Sequence, residues 1–166
     1  MPKLYHPFED LIWRKRRAIS PPNVASKWTN DTLRILFENY DDLFFGRELS
    51  SLLLKAGKKL ILRFNKNRAI TDAGKTSVRS SSITISMPLV LFQKLDETKS
   101  YLINGIMCCT PGTCLQLAFE HELVHVLLDV LGYDGWGPIW GSHGYFFRVM
   151  AFVCFGHCDY QHHLLE

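Results

Sequence analysis

Residues 121–125 read His-Glu-Leu-Val-His. Side chains four apart in a helix share one face, so the imidazoles of His121 and His125 can reach a single cation. Imidazole nitrogens suit zinc first, with Mn²⁺ or another divalent ion acceptable to the same ligands. Glu122, beside the first imidazole, is then within reach of water at that ion and can take its proton, which is the chemistry of a zinc hydrolase. With seven His and seven Glu in the chain, this spacing arises in roughly one shuffled sequence in a hundred. The neighbouring Leu115, Ala118, Leu123, Val124, Val126, Leu127, Leu128 and Val130 are apolar on every side, the pattern of a buried helix. Two His and a Glu in such a wall are costly unless a metal or hydrogen bonds compensate. The plainer alternative is a helix whose His are satisfied core side chains.

A catalytic zinc needs a third protein ligand and one open position. The long metzincin pattern would place Gly at 128 and His at 131, and the chain has Leu128 and Leu131 there, which excludes that class. Three donors are candidates. His143 follows a glycine-rich loop, at the start of the next helix, where a sharp return would aim it at the metal. Asp129 lies one helical turn past His125 on the same face and also suits a ligand imidazole as a hydrogen-bond acceptor. His157 follows the last helix.

The elements that must hold these groups follow from periodicity. Residues 1–29 read as a basic N-terminal extension, with Arg14-Lys15-Arg16-Arg17, the breaker Ser20-Pro21-Pro22-Asn23 and little apolar periodicity. Residues 30–166 read as one domain. A helix capped by Asn30 or Asp31 carries Leu33, Leu36, Phe37, Tyr40 and Phe44 at helical spacing and stops at Gly46. Leu49 to Leu54 adds a further turn or a connecting segment. Leu60, Leu62 and Phe64 alternate with Lys59 and Arg63, and Ile83, Ile85 and Met87 with Ser82, Thr84 and Ser86, so both stretches predict half-buried strands. A possible middle strand near Arg68–Asp72 would complete an antiparallel meander. Leu89–Leu95 predicts a short helix or turn, Tyr101–Gly112 is ambiguous, and Thr113 is a reasonable cap for the metal helix from Cys114 to about Leu131. The last helix runs from about His143 to Phe155. The fold class is therefore α+β, a small antiparallel sheet packed on helices.

These pieces resemble a known family. His121-Glu122-Leu123-Val124-His125, a Gly/Trp-rich connection, then His143-Gly144-Tyr145-Phe146-Phe147 with Met150 resemble the SprT-like zinc metalloproteases, which include Spartan. So do Leu43-Phe44-Phe45-Gly46-Arg47-Glu48-Leu49, Asp72-Ala73-Gly74-Lys75 and Ile83-Thr84-Ile85-Ser86 upstream. The likeness covers roughly residues 30–157, without the paired CxxC ribbon that often follows this core. It implies a zincin-like fold, one Zn²⁺ per chain on His121, His125 and His143, Glu122 as general base, and proteolysis of DNA-associated or DNA-crosslinked proteins in DNA damage repair.

Charge bears on partners. Residues 1–100 hold 18 Lys+Arg against 10 Asp+Glu, whereas residues 101–166 hold Arg148 against six acids. The stretch 55–79 is densest, with Lys55, Lys58, Lys59, Arg63, Lys66, Arg68, Lys75 and Arg79 against Asp72 alone. Apart from Lys55, these residues are the candidate nucleic-acid contacts; on strands, Lys59 and Arg63 share an outward face suited to phosphate without base specificity. The run 14–17 could add phosphate contacts or act as a nuclear localisation signal. Solvated surface lysines are the bland alternative for both. No apolar stretch approaches the roughly 20 residues that span a bilayer, and no apolar leader is recognisable. With five Cys, an odd number, the expectation is a non-secreted, intracellular protein of nucleus or cytoplasm.

Two look-alikes are set aside. Ala69–Thr76 fits a permissive phosphate-loop pattern, but a true one opens a helix and Ser77–Ser86 reads as strand. Cys108, Cys109, Cys114, Cys154, His157 and Cys158 could gather a second metal, with spacings that match no standard finger. Tyr133 and Tyr145 are oxyanion candidates by position, and Trp136 and Trp140 are candidates for a cleft wall. The alternatives to a peptidase are a catalytically silent, zinc-stabilised DNA-binding or adaptor module and a zinc hydrolase of a non-protein amide. Intact Glu122 favours an enzyme.

Overall fold

In the computed structural model, residues 7–66, 73–133 and 143–160 are described. Among them run helices α1 (Pro7–Ile19), α2 (Asn30–Phe45), α3 (Glu48–Lys55), α4 (Leu89–Gln93), α5 (Pro111–Val130) and α6 (Tyr145–Phe155). The strands are β1 (Lys59–Asn65), β2 (Lys75–Val78), β3 (Ser82–Pro88), β4 (Tyr101–Ile103) and β5 (Ile106–Cys108). No helix among the described residues is long and apolar enough to cross a membrane.

Helix α5 is the axis of the molecule. It begins three residues before the predicted start, because Thr110 accepts from the Thr113 N–H at 3.2 Å and Pro111 occupies the first turn, where its missing N–H is no loss. From Cys114 to Val124 every residue is buried, as its all-round apolar sequence requires. Helix α6, the sheet, α4 and the β4–β5 hairpin all pack around it.

The three-stranded sheet corrects the expected antiparallel meander. Its order is β1-β3-β2, with β1 and β3 parallel and only β2 and β3 antiparallel. The cause lies in composition. Ile83, Ile85 and Met87 are fully buried, so β3 takes the centre, while short, polar Lys75-Thr76-Ser77-Val78 suits an edge. Both predicted alternations hold, with Leu60, Leu62 and Phe64 inward and Lys59 and Arg63 outward. The middle strand expected near Arg68–Asp72 falls outside the described residues.

The ambiguous stretch 101–112 contains a hairpin. Asn104 and Gly105 have φ of 53° and 79°, the paired positive values that a two-residue turn between twisted strands demands. The predicted helix at 30 is present and ends at Gly46 with φ 57°. Its start is held by Thr32, whose Oγ1 accepts from the Thr29 N–H at 3.0 Å, one residue ahead of the expected cap.

Residues 7–28, assigned from sequence to an extension, pack into the same core. Ile12, Arg16, Ile19 and Trp28 are buried. Trp28 stacks on Phe64 at 6.0 Å, and a Cβ on Gly112 of α5 would lie 2.7 Å from Asn23 Oδ1. Six charged residues interrupt α1, and only a narrow stripe of it, Ile12, Arg16 and Ile19, is buried, so its apolar period was too sparse to read.

Candidate metal centre

His121 and His125 project from one face of α5, and His143 arrives from the turn just before α6. One ligand nitrogen from each lies within 4.8 Å of the others. His121 Nε2 and His143 Nε2 are 2.8 Å apart, and the ring centroids are separated by 4.7 to 5.2 Å. Phe147, buried one turn into α6, forms the floor, its ring 4.6, 4.6 and 4.7 Å from those of His121, His125 and His143. Arg148 holds the third imidazole's backbone, its Nε donating to His143 O at 3.1 Å. Burial, and then the charge of Arg148, keep the His143 imidazole below its ordinary pKa, which favours the neutral form a metal requires.

The donor set fits a divalent ion. Ligand nitrogens about 2.0–2.1 Å from a tetrahedral zinc stand roughly 3.3 Å from one another, within small ring rotations of the arrangement here. Three imidazoles leave one coordination position for water or substrate. Among the described residues this is the one group of three or more metal-binding side chains so arranged. The other third-donor candidates have different partners: Asp129 pairs with Lys58 Nζ, and His157 is buried against Glu120. The cysteine group does not assemble either; Cys108 and Cys114 meet at 2.9 Å between sulfurs, while Cys109 and Cys158 are exposed.

Glu122 is 2% exposed and is held from the sheet. Thr76 Oγ1, on β2, donates to Glu122 Oε2 at 2.6 Å. Two residues earlier, the bare backbone of Gly74 makes room for the carboxylate: a Cβ there would stand 2.8 Å from Oε1 and 2.9 Å from Cγ. Sequence reading missed Thr76. The signal was the alternation of β2, where exposed Lys75 and Ser77 flank a half-buried Thr76.

Next to His121 along α5, Glu120 centres a buried polar knot. Glu120, fully buried, accepts from Arg16 Nε and Nη2 at 2.7 Å each and from the Tyr40 hydroxyl at 2.6 Å, and meets His157 Nε2 at 2.8 Å. Burial opposes its charge, but Arg16 above all, and then His157, outweigh it and hold the carboxyl down at about 2. Arg16 also donates to Phe155 O at 2.9 Å, closing the end of α6.

The predicted phosphate contacts divide. On the solvent face of the sheet, register aligns Arg63, Ser86 and Lys75 in one row and Ile61, Thr84 and Ser77 in the next; Lys59 stands opposite Ser82, whose carbonyl accepts from the Arg79 N–H. Two basic rows thus frame a stripe of hydroxyls, about 13 Å apart along β1 and about 10 Å across. Lys66 is exposed, and Arg68 lies outside the described residues. Lys58 is withdrawn, paired with Asp129 and only 16% exposed in its side chain. The run 14–17 is likewise not a free patch. Arg16 is buried, Arg17 Nε donates to Trp13 O and the Lys15 ammonium sits over Phe44. Tyr133 is stacked on Phe146 at 4.9 Å and Tyr145 is largely exposed; Trp136 and Trp140 lie outside the described residues. Lys75 and Thr76 open a strand, where a phosphate loop would open a helix.

Comparison with family models, with curated proteins and with solved structures finds no match to this chain.

Proposed function

We propose that this protein is a zinc-dependent endopeptidase of the SprT-like kind, with one Zn²⁺ on His121, His125 and His143, that cleaves DNA-associated or DNA-crosslinked proteins in DNA damage repair inside the cell, in nucleus or cytoplasm. The observation that carries the reading is the convergence of three imidazoles, within 4.8 Å of one another, with the buried Glu122 following His121 on the same helix. When bound, zinc supplies a Lewis acid that polarises the scissile carbonyl and brings the pKa of a coordinated water towards about 7. The chain's own part is proton handling. Glu122 takes a proton from the attacking water and returns it to the leaving amine. One of its carboxylate oxygens, Oε2, accepts the Thr76 hydrogen bond, which orients the group for that proton transfer. The hydroxyl-lined basic face of the sheet favours a DNA-linked substrate, since it offers phosphate contacts without base readout.

The test is cleavage of histone or casein by the zinc-loaded protein, with and without DNA, beside Glu122→Gln. DNA-stimulated cleavage lost in the variant supports the proposal. One metal per chain with DNA binding but no turnover would make the protein a zinc-stabilised adaptor. Turnover of small amides alone would make it a hydrolase of another substrate class.

A further inference from the structure

We infer that Thr76 is a positioning residue for Glu122, and that the edge strand β2, rather than the metal helix itself, sets where the general base stands. The inference rests on the metallopeptidase reading and adds to it a residue from a different element. Helix α5 fixes the Cα of Glu122 but leaves three side-chain torsions to be decided, and an unrestrained carboxylate in a partly apolar wall has several rotamers open to it. Two neighbouring residues, Gly74 just before β2 and Thr76 within it, restrict that freedom. The Thr76 hydroxyl takes Oε2 at 2.6 Å, and Gly74 gives up the volume that Oε1 and Cγ fill.

The choice of threonine is chemically apt. Its branched Cβ stiffens χ1 on a strand, so the hydroxyl is aimed before the carboxylate meets it. A hydroxyl is also neutral. It holds one oxygen through a single hydrogen bond, where a Lys or Arg would pair with the carboxylate and weaken it as a base. The strand that presents Thr76 is tied to β3 along Lys75–Val78, opposite Ser86–Ile83, so the donor rests on the central strand of the sheet.

The experiment compares wild type, Glu122→Gln, Thr76→Val, Thr76→Ser and Gly74→Ala as full-length, zinc-loaded proteins, with kcat, KM, zinc per chain and melting temperature measured for each. Thr76→Val, which keeps the shape and removes the donor, is expected to retain zinc and KM while kcat falls roughly ten- to hundredfold, the scale of one hydrogen bond to a charged group. Thr76→Ser restores most of the rate, and Gly74→Ala lowers kcat by displacing the same carboxylate. Wild-type kcat in Thr76→Val, or a Ser variant as slow as the Val variant, overturns the inference. A wild type that binds zinc but shows no Glu122-dependent turnover overturns the peptidase reading instead. Crystal structures of wild type and Thr76→Val then read the positioning without turnover. One Glu122 rotamer bonded to Thr76 in the first and a displaced or divided one in the second uphold it; a wild-type carboxylate turned away from Thr76 overturns it.

Discussion

Replacing Arg16 by Ala tests whether α1 helps to hold α5 in place. The Arg16 and Glu120 side chains are 2% and 0% exposed and share two bonds of 2.7 Å. Removing the guanidinium leaves a buried carboxylate with only Tyr40 and His157, and breaking one partner out of such a pair costs about 3–5 kcal/mol. At about 2–4 °C per kcal/mol for a chain of this size, the melting temperature falls by about 6–20 °C. A surface pair would give about 0–1 kcal/mol, so the two cases are well separated. Acid titration supplies a second reading. Glu120 sits at about 2 in the fold, below the ordinary value of about 4.3 for a free glutamate. Its contribution is therefore full above about pH 4.3 and is lost as pH falls through about 2. Without Arg16 the carboxylate protonates at higher pH, so acid unfolding of Arg16→Ala begins earlier. Pairing Arg16→Met with Glu120→Gln removes both charges and should cost clearly less than the two single changes added together. Scanning calorimetry and urea titration of the wild type and these variants decide it. A melting temperature for Arg16→Ala within about 2 °C of wild type, at the exposed-pair scale, would refute the reasoning.

Other expectations follow from the same geometry. His143→Ala lowers zinc bound per chain, measured by elemental analysis, whereas Asp129→Asn and His157→Gln leave it unchanged. Replacing Lys59, Arg63, Lys75 and Arg79 by Ala weakens DNA binding and flattens its salt dependence by about 0.7–0.9 in log–log slope for each phosphate no longer neutralised. Lys58→Ala leaves that slope alone and instead lowers stability by about 1–3 kcal/mol, because its partner is the largely buried Asp129. Iodoacetamide at about pH 8 labels the exposed Cys109 and Cys158 first. Cys154, pushed up to about 11 by burial, and the buried Cys108 and Cys114 react only on unfolding.

How much was legible depended on whether a signal was local. The helix that carries His121 and His125 announced itself through spacing and through an apolar surround, and both sheet faces through strict alternation. The Asn104-Gly105 hairpin was also local, and its turn chemistry went unread in a stretch whose strands are three residues each. Strand order was not local. Nothing between Asn65 and Ser82 states that β1 will lie beside β3; that follows from which strand has most to bury. Arg16 was hidden for a related reason. Four consecutive basic residues suggest a solvated patch, and only the distant Glu120, Tyr40 and Phe155 convert one of them into a core residue. Thr76 was masked by its pattern match, since a Gly-Lys-Thr triplet points to phosphate before it points to a carboxylate.

The knot around Glu120 has a consequence for the order of assembly. Its partners come from residues 16, 40 and 157, so a growing chain exposes the first helix long before anything exists for its guanidinium to grip. The last of them, an imidazole, emerges after all three imidazoles of the candidate metal centre have been made. Contacts so far apart in sequence form late. A half-synthesised copy would therefore carry the two helical imidazoles without a settled scaffold, and the packing around α5 closes only once residue 157 has been made.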